Sequence, residues 1–122
     1  MAGEFVTLSS VTFRKDESKI LAQKLLINNV VEDLTGWTIE LYAEGTKIKT
    51  ITLSSNQATQ GIIRNQTTNK GEYFFTLLSA DLTSLIGSVP ERRLISYVRY
   101  ITTDVSPPRT FSNVEFVLII KA

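Results

Sequence analysis

The sequence predicts an all-β fold, an antiparallel β-sandwich of about eight short strands with one short helix. Two observations favour it: apolar and polar residues alternate with a period of two along much of the chain, and turn residues separate the alternating runs. The chain has 122 residues, with no internal repeat or linker. That length is typical of one domain of about 100–150 residues. We therefore predict a single domain at residues 1–122, with residues 1–10 as an extended N-terminal arm.

The first elements in the chain are expected to be strands. Residues 5–13 and 20–27 are rich in the aliphatic, aromatic and β-branched side chains that favour a pleated surface. Residues 37–42 and 47–53 interleave apolar and polar side chains. The connection at residues 43–46 contains a glycine that can take a left-handed conformation, so these two segments are predicted to form a hairpin.

A second hairpin follows, in which residues 61–64 and 73–78 flank a turn at residues 68–71 that contains Asn and Gly. One face of the later strand carries Tyr73, Phe75 and Leu77, and the opposite face carries Phe74, Thr76 and Leu78. Because both faces hold apolar groups, we expect the core to cover the first face and a partner to cover the second. The predicted core consists of Trp37, Ile39, Leu41, Tyr73, Phe75 and Leu77.

The last third of the chain contains the one predicted helix and two further strands. Residues 79–87 begin with Ser79 as an N-cap, carry apolar groups at helical spacing and end in Gly87, which predicts one to two helical turns. Strands are predicted at residues 94–102 and 111–120, where β-branched and aromatic residues are frequent.

The composition excludes most enzyme chemistry, because the chain has no histidine and no cysteine. Histidine is the only side chain that titrates near neutral pH without perturbation, and imidazole and thiolate are the usual ligands of zinc and copper. Nucleophile pairs of the Ser-His and Cys-His type are excluded as well. We expect a protein that is not an enzyme, with no cofactor and no bound transition metal.

Carboxylate chemistry remains as an alternative. Glu32 and Asp33 could offer oxygen ligands to calcium, but the acid spacing of a calcium loop is missing, and a turn capped by Asp33 with Gly36 at positive φ is favoured. A glycosidase needs two carboxyl groups ~5–9.5 Å apart, and the sequence does not single out a pair. The acids in question are Glu40, Glu44, Glu72, Asp81, Glu91, Asp104 and Glu115.

Basic and aromatic residues near the C-terminal end suggest a contact surface. Arg93, Tyr97 and Arg99 share strand parity, and Arg92, Arg109 and Tyr100 lie nearby in the sequence. Such a surface suits single-stranded nucleic acid or a protein partner. A net charge of +1 favours the protein partner, because nucleic-acid-binding domains are usually much more basic. No run approaches the ~18 apolar residues of a membrane span, and the N-terminus lacks the pattern of a signal peptide, so we expect no membrane partner.

About half of the chain, residues 27–82, resembles a known family. An Asp-Leu-Thr-Gly turn at residues 33–36 is followed by Thr-Ile-Glu-Leu at residues 38–41. A Gly-x-Tyr-x-Phe-x-Leu strand comes at residues 71–77, and then Ala-Asp-Leu at residues 80–82. This order resembles the immunoglobulin-like N-terminal domains of the phage baseplate upper protein family and related small structural proteins of tailed phages.

The resemblance implies a virion component: an immunoglobulin-like β-sandwich that docks onto a symmetric ring or shell of capsid or tail proteins, with no catalytic residues. The family continues into a coiled-coil or receptor-binding region, whereas this chain ends at Ala122. The expectation is therefore a stand-alone accessory, either a head decoration (cement) protein or an adaptor at the head–tail or tail–baseplate junction. The lack of disulfides fits assembly in a host cytoplasm. By analogy, the expected unit of a decoration protein is a homotrimer.

A different class of function, a carbohydrate- or receptor-binding module, stays open as the alternative. It requires an exposed aromatic platform. The sequence offers four residues for such a platform: Trp37, Tyr42, Tyr97 and Tyr100.

Two segments are the strongest candidates for contacts in an assembly. The N-terminal arm is apolar and has no tight turn tying it to the next strand, so a neighbouring subunit could bury it by strand addition. The Pro107-Pro108 pair predicts a rigid, extended loop between the last two strands. Together with the arginines discussed above, the predicted assembly residues are Phe5, Val6, Leu8, Arg99, Pro107, Pro108 and Arg109.

Overall fold

The computed structural model describes residues 9–102, 106–113 and 115–122. Within these ranges the chain is built of β-strands and one short helix, which confirms the all-β prediction. The strands in chain order are β1 (Ser10–Arg14), β2 (Lys19–Lys24), β3 (Leu26–Ile27), β4 (Val30–Val31), β5 (Thr38–Ala43), β6 (Thr46–Ile51), β7 (Gly61–Ile63), β8 (Glu72–Leu77), β9 (Glu91–Thr102), β10 (Arg109–Ser112) and β11 (Phe116–Lys121). The helix α1 (Ser79–Ile86) lies between β8 and β9 in the chain.

The larger sheet has the strand order β1-β11-β9-β5-β6, and β10 also pairs with β9. The twelve-residue β9 is long enough to pair with both β10 and β11, one after the other. All pairs in this sheet are antiparallel except β1 with β11, which is parallel. The prediction of purely antiparallel strands is therefore wrong at this edge, where the backbone of β1 satisfies the hydrogen-bonding groups of β11.

A smaller sheet has the strand order β2-β8-β7, and β3 and β4 form a separate two-stranded ribbon. Both pairs of the smaller sheet are antiparallel. The two sheets are linked at one end, where the Ile63 N–H of β7 donates to the Thr52 carbonyl just after β6, at 3.0 Å. This bond covers part of the outer edge of β7.

Both predicted hairpins are confirmed. Glu44 and Gly45 take positive φ angles of 49° and 77° between β5 and β6, which matches the right-handed twist of the flanking strands. Gly71 takes a φ of 79° before β8, at the end of the second predicted turn. The helix is confirmed too, with Gly87 at its C-cap, but Ser79 is not the N-cap. Leu78 holds that position, and its N–H donates to the Asp81 carboxylate at 2.9 Å.

Two predicted strands are each divided in the structure. Residues 20–27 form β2 and β3 with Leu25 between them, and the Leu25 N–H donates to the Gly71 carbonyl at 2.9 Å. Residues 111–120 form parts of β10 and β11, because Asn113 interrupts the run: its side-chain oxygen accepts from the Val98 N–H at 2.7 Å. The strand predicted at residues 5–13 begins at Ser10 within the described part of the chain.

One cluster of buried side chains includes residues of both sheets and of α1, and all six residues of the predicted core belong to it. Trp37 packs edge-on against Phe111 and Tyr100, with ring centroids 5.8 and 6.4 Å away. The parity predicted for β8 is confirmed, because Tyr73, Phe75 and Leu77 are fully buried whereas the opposite face is partly exposed. The core thus fixes which faces of the two sheets remain for other contacts.

Candidate protein-contact surfaces

The acidic turn that sequence analysis considered for calcium is satisfied internally. The Asp33 carboxylate accepts hydrogen bonds from the Thr35 hydroxyl at 2.6 Å and the Thr35 N–H at 3.0 Å, and these bonds lower the pKa of Asp33. Gly36 follows with a φ of 78°, so the predicted capped turn is confirmed. Among the described residues no group of three or more carboxylates is placed to hold a metal ion. No helix in that part of the chain is long and apolar enough to cross a membrane.

The structure describes four of the seven predicted assembly residues. Phe5, Val6 and Leu8 lie outside the described residues. Pro107 and Pro108 are exposed beside the start of β10, as predicted for a loop.

The two predicted arginines point away from each other. Arg109 is exposed and opposes Thr102, which is buried on the core side, whereas Arg99 lies on the other face of β9. Arg109 also bonds to Thr102 through its backbone, since its N–H donates to the Thr102 hydroxyl at 2.9 Å. The prediction of a single basic face that contains both arginines is therefore wrong.

The other two arginines of the predicted basic face form hydrogen bonds or ion pairs with nearby residues. Arg92 donates to the Leu85 carbonyl at 2.7 Å, at the end of α1, and Arg93 pairs with Glu91 at 3.0 Å. Tyr100, which the nucleic-acid hypothesis placed beside them, is buried in the core. The geometry thus disperses the basic groups of this segment instead of aligning them along a strand of nucleic acid.

Arg99 belongs to a polar and aromatic patch on the outer face of the larger sheet, which we call the tyrosine patch. It consists of Glu40, Tyr42, Lys47, Tyr97 and Arg99. The rings of Tyr42 and Tyr97 stack with centroids 4.9 Å apart and planes within 4° of parallel. The Arg99 guanidinium lies 4.8 Å from the centroid of the Tyr42 ring. The patch is therefore an ordered array, with its aromatic faces already in contact with one another.

The hydroxyl group of Tyr42 connects the charges of this patch. It donates to the Glu40 carboxylate at 3.1 Å and accepts from Arg99 at 3.3 Å, and Lys47 pairs with Glu40 at 3.4 Å. Desolvation, followed by the hydrogen bond to Glu40, raises the pKa of Tyr42. The hydroxyl thus remains a neutral donor, and the patch offers a partner a mixed-sign polar surface.

A second surface lies on the outer face of the smaller sheet, where sequence analysis expected a partner to cover Phe74. A groove with a volume of about 670 Å³ runs along this face, which we call the Phe74 groove. Its apolar wall consists of Leu53, Ile62 and Phe74, and its polar lining includes Gln57 and Arg64. A smaller hollow of about 260 Å³ lies on the other side of Phe74, next to the exposed Ile20 of β2.

The third surface, which sequence analysis missed, is the ribbon formed by β3 and β4 (residues 26–31), here called the apolar hairpin. In this hairpin the side chains of Leu26, Ile27 and Val30 are 47%, 38% and 60% exposed. Asn28 and Asn29 form its turn with φ angles of 52° and 64°. An Asn-Asn pair between two apolar dipeptides is the sequence pattern that predicts such a hairpin, because Asn adopts the left-handed conformation readily.

Comparison of the chain with protein-family models, with curated proteins and with solved structures finds no match. A functional assignment therefore has to rest on the chemistry of these surfaces and on the motifs in the sequence. Of the three surfaces, the apolar hairpin is the least favourable in contact with water, because it exposes three aliphatic side chains.

Proposed function

We propose that this protein is a non-enzymatic structural component of a tailed-phage particle, an immunoglobulin-like β-sandwich that acts through protein–protein contacts in a symmetric assembly. Its role would be that of a head decoration protein or of an adaptor at the head–tail or tail–baseplate junction. Its partners would be capsid or tail proteins and further copies of itself, with a trimer as the unit expected by analogy. Assembly would take place in the host cytoplasm and the final location would be the virion.

The apolar hairpin is the observation that carries this proposal. Large apolar patches on a folded surface commonly mark sites of protein contact. Here three exposed aliphatic side chains occur within six consecutive residues, on an element whose backbone is hydrogen-bonded to the rest of the fold. The hairpin is thus ordered before binding, which reduces the conformational entropy lost on association.

The sandwich part of the proposal rests on the shared core. Residues from the inner faces of both sheets belong to one buried cluster, an arrangement typical of two sheets packed face to face. The parallel edge pair of β1 and β11 is compatible with this architecture, because it adds a strand to one sheet without changing the two-layer order.

The composition of purified particles tests the proposal. Particles released from the producing cells should contain this chain in a copy number that is a multiple of the symmetry of one particle layer, as measured by quantitative mass spectrometry. Its absence from washed particles would overturn the virion assignment.

Variants would then separate the contact surfaces. Deletion of residues 1–8 keeps β1 intact and keeps Ser9, whose carbonyl accepts from the Val117 N–H at 2.8 Å. If the N-terminal arm is an assembly element, the deletion should reduce incorporation into particles while the melting temperature stays unchanged. Arg99→Ala and Arg109→Ala test the two predicted arginine contacts separately, because these arginines lie on opposite faces of the sheet.

A carbohydrate-binding module has one surface in its favour, the tyrosine patch. Of the four aromatic residues that the sequence offered, Trp37 and Tyr100 are buried in the core. Tyr42 and Tyr97 remain at the surface, but their rings stack on each other and do not form an open platform for a sugar ring. Glycan-array binding that is lost in Tyr97→Ala would favour this alternative over the structural role.

A further inference from the structure

The apolar hairpin is held rigidly at its base. The Leu25 N–H donates to the Gly71 carbonyl at 2.9 Å, and the Glu32 N–H donates to the Leu25 carbonyl at 3.1 Å. Val31 packs closely on Gly71, because a Cβ atom added at Gly71 would lie 2.6 Å from a methyl group of Val31. Within the ribbon, Ile27 opposes Val30, and both of these side chains are substantially exposed. The exposed end is therefore a fixed apolar projection and not a loose loop.

The Phe74 groove offers a concave surface of matching chemistry. Its volume of about 670 Å³ lies within the range of about 300–1,000 Å³ typical of sites that enclose a ligand. Leu53 on its wall is 39% exposed, and Ile62 and Phe74 are partly exposed. Amide and hydroxyl side chains complete the lining, among them Gln57, Asn65 and Asn69. Such groups can hydrogen-bond to the amide side chains of an Asn-Asn turn.

The two surfaces are also compatible in charge, because neither presents an unpaired charged group within the described part of the chain. Residues 26–31 of the hairpin carry no charged side chain. Among the described residues that line the groove, Arg64 alone is charged, and it pairs with Glu72 at 3.0 Å. Binding of the hairpin in the groove would thus bury apolar groups without burying an unpaired charge. A buried unpaired charge weakens an interface because its desolvation is not compensated.

We propose that the apolar hairpin of one copy of this chain occupies the Phe74 groove of a second copy. This inference rests on the proposed function and specifies the contact between its subunits. Each copy carries one hairpin and one groove, so every site is filled only when the assembly closes on itself. A closed homo-oligomer is the result, in which burial of Leu26, Ile27 and Val30 supplies the main attraction.

The test measures the mass of the native protein by light scattering over a range of concentrations, in wild type and in four variants. Val30→Asp places a charge on the hairpin, and Ile62→Lys places one in the groove. Each should weaken self-association on the order of 30-fold or more, because each buries an unpaired charge at the centre of the contact. The chain with both substitutions should regain much of the association, since Asp and Lys would then meet across the interface.

Val89→Asp is the matched control, because Val89 is also an exposed valine, at 45%, outside both surfaces. It should leave the oligomer unchanged. Circular dichroism and the melting temperature of every variant establish that the fold is retained. Rescue by the double variant distinguishes a direct contact from a general loss of folding, which a second substitution would not repair.

Other outcomes overturn the inference without removing the proposed function. If the wild type is oligomeric and Val30→Asp remains so, the copies associate through a different surface. If the wild type is monomeric but Val30→Asp loses incorporation into particles, the hairpin binds another particle protein and not a second copy. Absence of the wild-type chain from particles, by contrast, contradicts the proposed function itself.

Discussion

The hydroxyl groups of Tyr73 and Tyr100 meet within the core, with 2.6 Å between their oxygens. Tyr73 lies on β8 of the smaller sheet and Tyr100 on β9 of the larger one, so this bond joins the two sheets. Tyr73 also donates to the side-chain oxygen of Gln23 on β2. Both tyrosines are almost fully buried, and the rings pack edge-on at 6.0 Å. The pair therefore combines apolar packing with a satisfied polar contact between the sheets.

Because these two tyrosines are buried, the free energy of unfolding of the protein should depend on pH in the alkaline range. Desolvation raises the pKa of Tyr73, with a further contribution from Tyr100, and desolvation likewise raises the pKa of Tyr100. Unfolded tyrosines titrate near pH 10, so above that pH the unfolded chain loses protons that the folded protein keeps. The free energy of unfolding should thus be undiminished below about pH 10 and then fall by about 1.4 kcal/mol per pH unit for each buried tyrosine.

Tyr73→Phe checks this expectation. The variant should be about 1–2 kcal/mol less stable at pH 7, because the hydroxyl of Tyr100 loses its partner. Above pH 10 its stability should decline less steeply than that of the wild type, since one of the two titrating groups is gone. Urea denaturation between pH 8 and pH 11 gives both slopes. Parallel slopes in the two proteins would show that Tyr73 does not contribute to the alkaline loss.

The parity of β8 leads to a second prediction, based on two adjacent phenylalanines. Phe75 is fully buried, whereas Phe74 lies on the partly exposed outer face. Phe75→Ala should cost about 3–5 kcal/mol of stability, because it leaves a cavity between the sheets. Phe74→Ala should cost markedly less, as its ring is partly solvated in the folded protein. Equal losses in thermal denaturation would contradict the assignment of the inner face.

The elements that sequence analysis predicted well are those with strong local patterns. Alternation identified the buried face of β8, and Gly45 and Gly71 marked the turns because they take positive φ angles of 77° and 79°. The segment at residues 79–87 was identified because its apolar spacing and its terminal glycine both indicate a helix. In each case the residues that determine the structure lie within a few positions of one another.

The features that sequence analysis missed depend on residues far apart in the chain. The parallel pairing of β1 with β11 joins the two ends of the described chain, which no local pattern reveals. The break at Asn113 exists because this side chain bonds to Val98, fifteen positions earlier. Arg99 and Arg109 are separated by the pairing of β10 with β9, so their common charge did not place them on a common face. Tertiary pairing thus decided the geometry of the contact surfaces.

A third prediction concerns Gly61, at the start of β7, whose φ is 110°. A side-chain carbon at this position would lie 2.1 Å from the backbone oxygen of Phe74, within the pairing of β7 and β8. Gly61→Ala should therefore cost about 2–4 kcal/mol, since the backbone of the smaller sheet has to shift.

Gly45→Ala is the matched control for this substitution. Gly45 also has a positive φ, of 77°, but no atom lies within 4 Å of an added carbon. Its cost should be limited to the strain of the left-handed conformation, about 1 kcal/mol. The difference between the two variants in chemical denaturation isolates the steric contact. A Gly61→Ala variant as stable as Gly45→Ala would mean that β7 and β8 can separate freely.

The last prediction concerns Lys49, a cation that points into the protein from the edge strand β6. Its side chain is 3% exposed, and its ammonium group donates to the Asp81 carboxylate at 2.7 Å and to the Thr59 carbonyl. Asp81, which also accepts from the N–H that precedes α1, is 33% exposed and thus retains contact with water. The two partners of this ion pair are therefore unequal, because loss of the carboxylate leaves a buried charge and loss of the lysine does not.

Asp81→Asn should accordingly destabilise the protein by about 1–3 kcal/mol, whereas Lys49→Met, which keeps the buried aliphatic chain, should cost less. The double variant should be more stable than the sum of the single losses predicts, since the methionine removes the charge that the asparagine leaves unpaired. Denaturation of all four proteins in one buffer completes this cycle. If Lys49→Met is the more damaging single change, the burial of an unpaired lysine is not the larger cost of breaking this ion pair.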